Sequence, residues 1–108
     1  MSIYEFRLQA LSDPTRRHVL ELLHAGPKSA GELAQAFDVS KPTMSAHFAV
    51  LREAGLVTTE RAGKQVIYHL QMSVLEDALY TFAKTFGWEL RDTGARPDDA
   101  AQMEARKS

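Results

Sequence analysis

Apolar residues fall at helical spacing in four successive segments of the chain and then switch to β-type runs. Ile3, Phe6 and Ala10 share a helical face with Leu11 alongside, which predicts a short amphipathic helix over 1–11. Ser12 or Asp13 supplies the next N-cap, and Pro14 sits where a missing N–H costs nothing. Val19, Leu20, Leu22 and Leu23 then form the apolar face of a second helix, which Gly26 closes and Pro27 prevents from continuing. A third helix opens on Ser29-Ala30-Gly31-Glu32, a capping box, and ends near Phe37. Asp38-Val39 turns into Ser40, the N-cap of a fourth helix over 41–54, where Met44, Phe48 and Leu51 recur at i, i+4 and i+7 as the buried stripe.

Gly55 ends that helix, and 56–60 and 65–70 follow as two runs rich in Val, Ile, Thr and Tyr around Arg61-Ala62-Gly63-Lys64, a hairpin signal. Ser73-Val74-Leu75-Glu76 reads as another capping box, starting a helix in which Leu75, Ala78, Leu79, Phe82 and Phe86 keep helical spacing. From Arg91 the chain turns polar, either a disordered tail or one marginal helix from Asp98. The expected fold is mainly α with a two-stranded β-wing, in the order α-α-α-α-β-β-α. Residues 1–90 would form one domain, with 91–108 as a tail.

Two short helices joined by a tight turn and followed by a hairpin make a winged helix-turn-helix. The major groove, about 12 Å wide, admits one helix, while a projecting hairpin reaches phosphates or the adjacent minor groove. The helix that would enter begins at Ser40 and exposes Lys41, Thr43, Ser45 and Ala46, side chains short enough to bring it close to base edges. Its first-turn N–H groups favour phosphate. Candidate DNA-contacting residues are Ser40, Lys41, Thr43, Met44, Ser45, Ala46 and His47, with Arg52, Arg61, Lys64 and Gln65 holding the backbone. His47 lies about 60° from the buried stripe, so packing inside the domain competes with DNA contact. Arg16 and Arg17 are open between solubilising charges and residues near the DNA backbone or a helix seam.

Composition at first argues against this reading. The 108 residues hold 13 Lys+Arg against 14 Asp+Glu, a formal net charge of −1, without the basic excess of a strong nucleic-acid binder. Counted by region the picture changes. From Ser40 to His69, Lys41, Arg52, Arg61 and Lys64 stand against Glu53 and Glu60, a balance of +2. The acidic residues gather in the last helix and the tail.

Cysteine is absent, which excludes disulfides, thiolate metal sites, Cys nucleophiles and thiol switches within these residues. His18 and His24 are about 120° apart on their helix and do not form a ligand pair by themselves. No Ser/His/Asp order, phosphate loop, HExxH or paired carboxylate marks an enzyme, and Gly63-Lys64 lacks the rest of a P-loop. Glu5 and Arg7 interrupt any signal-peptide pattern, and no run approaches a membrane span. A soluble cytoplasmic protein without direct membrane insertion is expected.

The runs LSDPTRRHVLELL, ELAQAFDVSKPTMSAHFAVLREAGLV and ERAGKQVIYHL together resemble the ArsR-type winged-helix repressors over roughly residues 5–90, and within them the SdpR-like autorepressor subfamily. The resemblance implies a homodimer that binds an imperfect inverted repeat, often in its own promoter, and blocks transcription. The first and last helices would form the dimer interface, through Ile3, Phe6, Ala10, Leu75, Leu79, Phe82 and Phe86. Metal-sensing and redox-sensing members place Cys pairs or His/carboxylate clusters where this chain has neither, so no cofactor is expected. Derepression would come from capture by a protein anti-repressor. Two other readings stay open: a winged helix used for protein–protein contact, and a ligand-responsive or metal-responsive repressor with a His/carboxylate site.

Overall fold

A computed structural model describes residues 2–85. Contacts divide the described residues between Ala78 and Leu79. The order of elements is α1 (Ile3–Leu11), α2 (Pro14–His24), β1 (Lys28–Ser29), α3 (Ala30–Gln35), α4 (Lys41–Glu53), β2 (Val57–Ala62), β3 (Gln65–Leu70) and α5 (Met72–Thr85).

The starts of α1 to α4 each follow from a side chain that satisfies an otherwise orphaned N–H group. Ser2 accepts from the Glu5 N–H, and Asp13, not Ser12, caps α2 by accepting from the Arg16 N–H at 2.9 Å. The capping box of α3 is complete: Ser29 Oγ accepts from the Glu32 N–H at 3.1 Å, and Glu32 accepts from the Ser29 N–H at 3.0 Å. The end of α4 is a Schellman motif. Gly55 takes a left-handed φ of 75°, its N–H donates to the Arg52 carbonyl, and the Leu56 N–H donates to the Leu51 carbonyl. The expected capping box at Ser73 is not formed as such, because α5 already begins at Met72 and leaves Ser73 inside its first turn. Gln71 makes the connection instead, its carbonyl accepting from the Val74 and Leu75 N–H groups and its side chain donating to Thr58.

The expected two-stranded wing is present as β2 and β3, and the short strand β1 joins them as a third strand. The sheet order is β1-β3-β2, all antiparallel, with Lys28 opposite Tyr68 and Ser29 opposite Ile67. Two residues are enough to add a strand because Ser29 serves both the ladder and the start of α3. The wing is also longer than its β-rich runs suggested: β2 continues through Arg61 and Ala62, which pair with Val66 and Gln65. The loop is therefore Gly63-Lys64 alone. Gly63 has a φ of 64° and Lys64 an ordinary φ, the glycine-first pattern of a type II′ turn, whose twist matches that of the strands.

Val19, Leu20 and Leu23 of α2, Leu33 of α3, and Met44, Phe48 and Leu51 of α4 form the core with Ala10, Ala54, Leu56, Val57 and Tyr68. Phe48 and Tyr68 lie with ring centroids 4.9 Å apart, fastening α4 to β3. No described helix is long and apolar enough to cross a membrane.

Candidate nucleic-acid interface

The buried stripe of α4 fixes which of its residues look outward. With Met44, Phe48 and Leu51 in the core, a helical advance of about 100° per residue sends Pro42, Ala46, Ala49 and Glu53 to the opposite side. These four are exposed. One flank of that ridge carries Thr43 and His47; the other carries Lys41, Ser45 and Arg52. Along the second flank, Lys41 and Arg52 stand about 16 Å apart on the axis at 1.5 Å per residue, a spacing that could engage phosphates on either side of a groove.

The first turn of α4 is prepared for a polar ligand. Ser40 Oγ accepts from the Thr43 N–H at 3.3 Å and donates to Thr43 Oγ1 at 2.9 Å. Thr43 accepts that bond, so its own O–H is left to donate. Ser40, Lys41, Thr43, Ser45 and Ala46 are all exposed. Met44 does not belong with them: it is 2% exposed and packs into the core, because a position that anchors the helix inward cannot also reach a groove.

His47 is half-buried and has partners within the chain. Its Nδ1 lies 3.2 Å from Arg16 Nη1, and its Nε2 lies 3.9 Å from Asp13 Oδ2. Arg16 and Arg17 are helix clamps. Arg16 Nε donates to the Ala10 carbonyl at 2.7 Å and Nη2 to the Gln9 carbonyl at 3.0 Å, while Arg17 Nη1 donates to the Leu11 carbonyl at 2.8 Å. Cations placed on the last carbonyls of a helix are favoured by its dipole. The Arg16 N–H, donated to Asp13, is the main reason that the Asp13 carboxyl sits below its ordinary range; His47 and the Arg16 charge add smaller effects, against the opposing desolvation.

On the wing, Arg61, Lys64 and Gln65 are exposed, but the register divides them. Arg61 pairs with Val66 on the strand face that carries Tyr68, Gln65 lies on the opposite face beside Ala62, and Lys64 occupies the turn. Arg61 is thus a strand residue and not a tip residue. Glu60 and His69 meet at 2.6 Å on the Gln65 face, so one of the two acids in the basic segment is locally paired.

Arg7 was not singled out from sequence. Its Nε donates to the Ala54 carbonyl at 2.8 Å, clamping the end of α4 from α1. A basic residue on the apolar i, i+4, i+8 row formed with Ile3 and Leu11 was the available signal. The remaining histidines are dispersed: His18 stacks edge-on against Phe37 at 5.0 Å, and His24 lines an open cleft at the end of α2 with His69 and Leu70. Among the described residues, no three His, Asp or Glu side chains converge as metal ligands.

The expected dimer residues separate into three groups. Ala10 is fully buried within its own chain, and its carbonyl is taken by Arg16; a residue without exposed surface offers nothing to a partner. Phe6 and Leu75 are partly buried against the core. Ile3 on α1, and Leu79 and Phe82 on α5, are about half exposed. Phe86 and the 91–108 tail lie outside the described residues.

A model of the helix-turn-helix domain matches residues 11–60. Over 71 residues the chain is 41% identical to the transcriptional repressor SdpR of Bacillus subtilis, covering 66% of this chain and 79% of that protein. Its structure is similar to that of an ArsR family transcriptional regulator, with a TM-score of 0.72 at 29% identity over 80% of this chain and 94% of that one. The transcriptional repressor BigR from Xylella fastidiosa is 40% identical, with a TM-score of 0.59 over 72% of this chain and 83% of that one.

Proposed function

Because the chain belongs to the ArsR-type winged helix-turn-helix repressors, a family of DNA-binding transcriptional regulators, we propose that it acts as a homodimer on an imperfect inverted repeat, with α4 in the major groove. The observation that carries the reading is the first turn of α4. Lys41, Thr43, Ser45 and Ala46 are exposed around a capped helix N-terminus, and the helix behind them is anchored by its buried stripe. Thr43 and Ser45 would donate to base-edge acceptors, and Ala46 is small enough to meet a thymine methyl. Lys41, Arg52, Arg61 and Lys64 would neutralise phosphates, which position the protein without specifying sequence.

Two-fold symmetry would place the second α4 about 34 Å away, one turn of DNA, so the target is a near-palindrome. The half-exposed Ile3 of α1 and Leu79 of α5 supply apolar surface for the partner copy. Regulation of its own promoter and release by a protein anti-repressor are carried into the same reading from the likeness to SdpR.

The test is binding to a fragment of the chain's own promoter across a salt series. Three to four phosphates neutralised by each protomer correspond to a slope of log K against log salt of roughly −5 to −7. A slope near zero, or equal affinity for unrelated DNA, would contradict it.

A further inference from the structure

The guanidinium of Arg16 joins three helices at one point. From the first turn of α2 it donates through Nε and Nη2 to the Ala10 and Gln9 carbonyls at the end of α1, and through Nη1 to His47 on α4. A guanidinium has donors only, so His47 Nδ1 is the acceptor and its ring proton sits on Nε2, 3.9 Å from the Asp13 carboxylate. Asp13 is in turn fixed by the Arg16 N–H. His47 is therefore held at Nδ1 by α2, with Nε2 facing the Asp13 carboxylate beyond hydrogen-bond distance, and it lies one helical turn from Thr43 on the same flank of α4.

We infer that Arg16 is a positioning residue for DNA reading: it sets the axial rotation of α4 through His47 and references that rotation to the end of α1. The inference rests on the proposed entry of α4 into the major groove. The core stripe alone leaves this setting loose, because Met44, Phe48 and Leu51 line one narrow row about which a helix can roll. A contact off that row, on the Thr43 flank, opposes the roll. The planar fork of arginine is what lets one side chain serve two α1 carbonyls and an imidazole at once, which a lysine ammonium on a flexible stem does not reproduce. Three of its five N–H donors are engaged within the chain, which favours a positioning role for Arg16 over a phosphate contact.

The experiment measures promoter affinity and its salt slope, together with thermal melts, for the full chain and for Arg16→Lys, Arg16→Ala, His47→Ala and the Arg16→Ala/His47→Ala double variant. Measurements are made well below each melting temperature. Loss of the fork or of its imidazole partner is expected to weaken binding on the order of tenfold, with Arg16→Lys failing to rescue it. The salt slope should stay at the wild-type value, and the double variant should bind no worse than the weaker single. A slope shallower by about 0.9 for each Arg16 removed would make it a phosphate ligand, and additive losses would make His47 an independent contact. Lower melting temperatures with unchanged affinity of the folded protein would leave it a purely structural clamp. Each of these three results overturns the inference. Ala46→Asp, a carboxylate on the outward ridge, separates the two levels. If it too leaves binding intact, the α4 reading fails; if it alone abolishes binding, only the role of Arg16 fails.

Discussion

Helix α4 and the wing both carry exposed cations, but they are built on different foundations. Three buried side chains, a Schellman end, and the side chains of Arg7 and Arg16 hold α4. In β2 only Val57 is buried, so that strand is carried by its backbone ladder with β3, whose Tyr68 lies in the core, and by the Glu60–His69 and Gln71–Thr58 pairs. Reading base edges demands fixed donor positions, whereas attracting phosphate tolerates motion because charge acts over a distance. On the proposed reading, the more deeply anchored helix would read base edges and the less anchored hairpin edge would grip phosphate.

The largest expected break in the comparison comes from the helix foundation. Leu51→Ala removes a fully buried side chain and should cost about 2–5 kcal/mol, while Thr59→Ala, exposed on β2, should stay within about 0.5 kcal/mol. Urea unfolding midpoints measure both. Next comes Gly55→Ala, which forces a side chain onto a φ of 75° with a built Cβ 3.3 Å from Arg7 Nη2. A loss of about 1–2 kcal/mol is expected from the left-handed backbone. Ser40→Ala should cost about 1 kcal/mol as a lost N-cap and weaken promoter binding as well, because the same hydroxyl orients Thr43.

The smallest stability effects lie on the wing and at the acidic caps. Arg61→Ala with Lys64→Ala should leave the melting temperature in place and make the salt slope shallower by about 0.9 for each phosphate contact given up. Both the Asp13 and Glu32 carboxyls are held below their ordinary values of 3.8 and 4.5, chiefly by the backbone N–H groups of Arg16 and Ser29. Since the folded values are the lower ones, these caps contribute stability above the ordinary values and lose it as pH falls through the folded ones. Melts between pH 6 and pH 2 should show a decline setting in near pH 4, with a smaller decline in Asp13→Asn, which keeps an acceptor for the Arg16 N–H.

Much of this architecture was legible along the chain because its determinants are local. Asp13, Ser29 and Ser40 sit within three residues of the N–H groups they cap, and Gly55 and Gly63 mark the backbone positions that need positive φ. What escaped depends on distant partners. Strand β1 is two residues long and has no periodicity to read; only its pairing with Tyr68 and Ile67 defines it. Arg61 looked like a loop residue until Val66 took it into the ladder. The clamp made by Arg7, and the choice among the solubilising, DNA-backbone and helix-seam readings of Arg16, depend on the Ala54 carbonyl and the His47 imidazole, 47 and 31 residues away. Met44 and Ala10, expected at the DNA and dimer surfaces, have a spacing that sets them on buried faces, and in both cases burial prevails.

The absence of cysteine from these residues allows the most direct test of α4 as the reading element. Glu53→Cys places a single thiol on the outward ridge beyond the first turns, where a thiol-attached DNA-cleaving reagent can be carried into the bound complex. With α4 in the groove, promoter cleavage should cluster at two positions about one helical turn apart, related by the symmetry of the repeat, while the same reagent on Glu21→Cys of α2 gives no such pair. Diffuse cutting from position 53, or focused cutting only from position 21, would contradict the account.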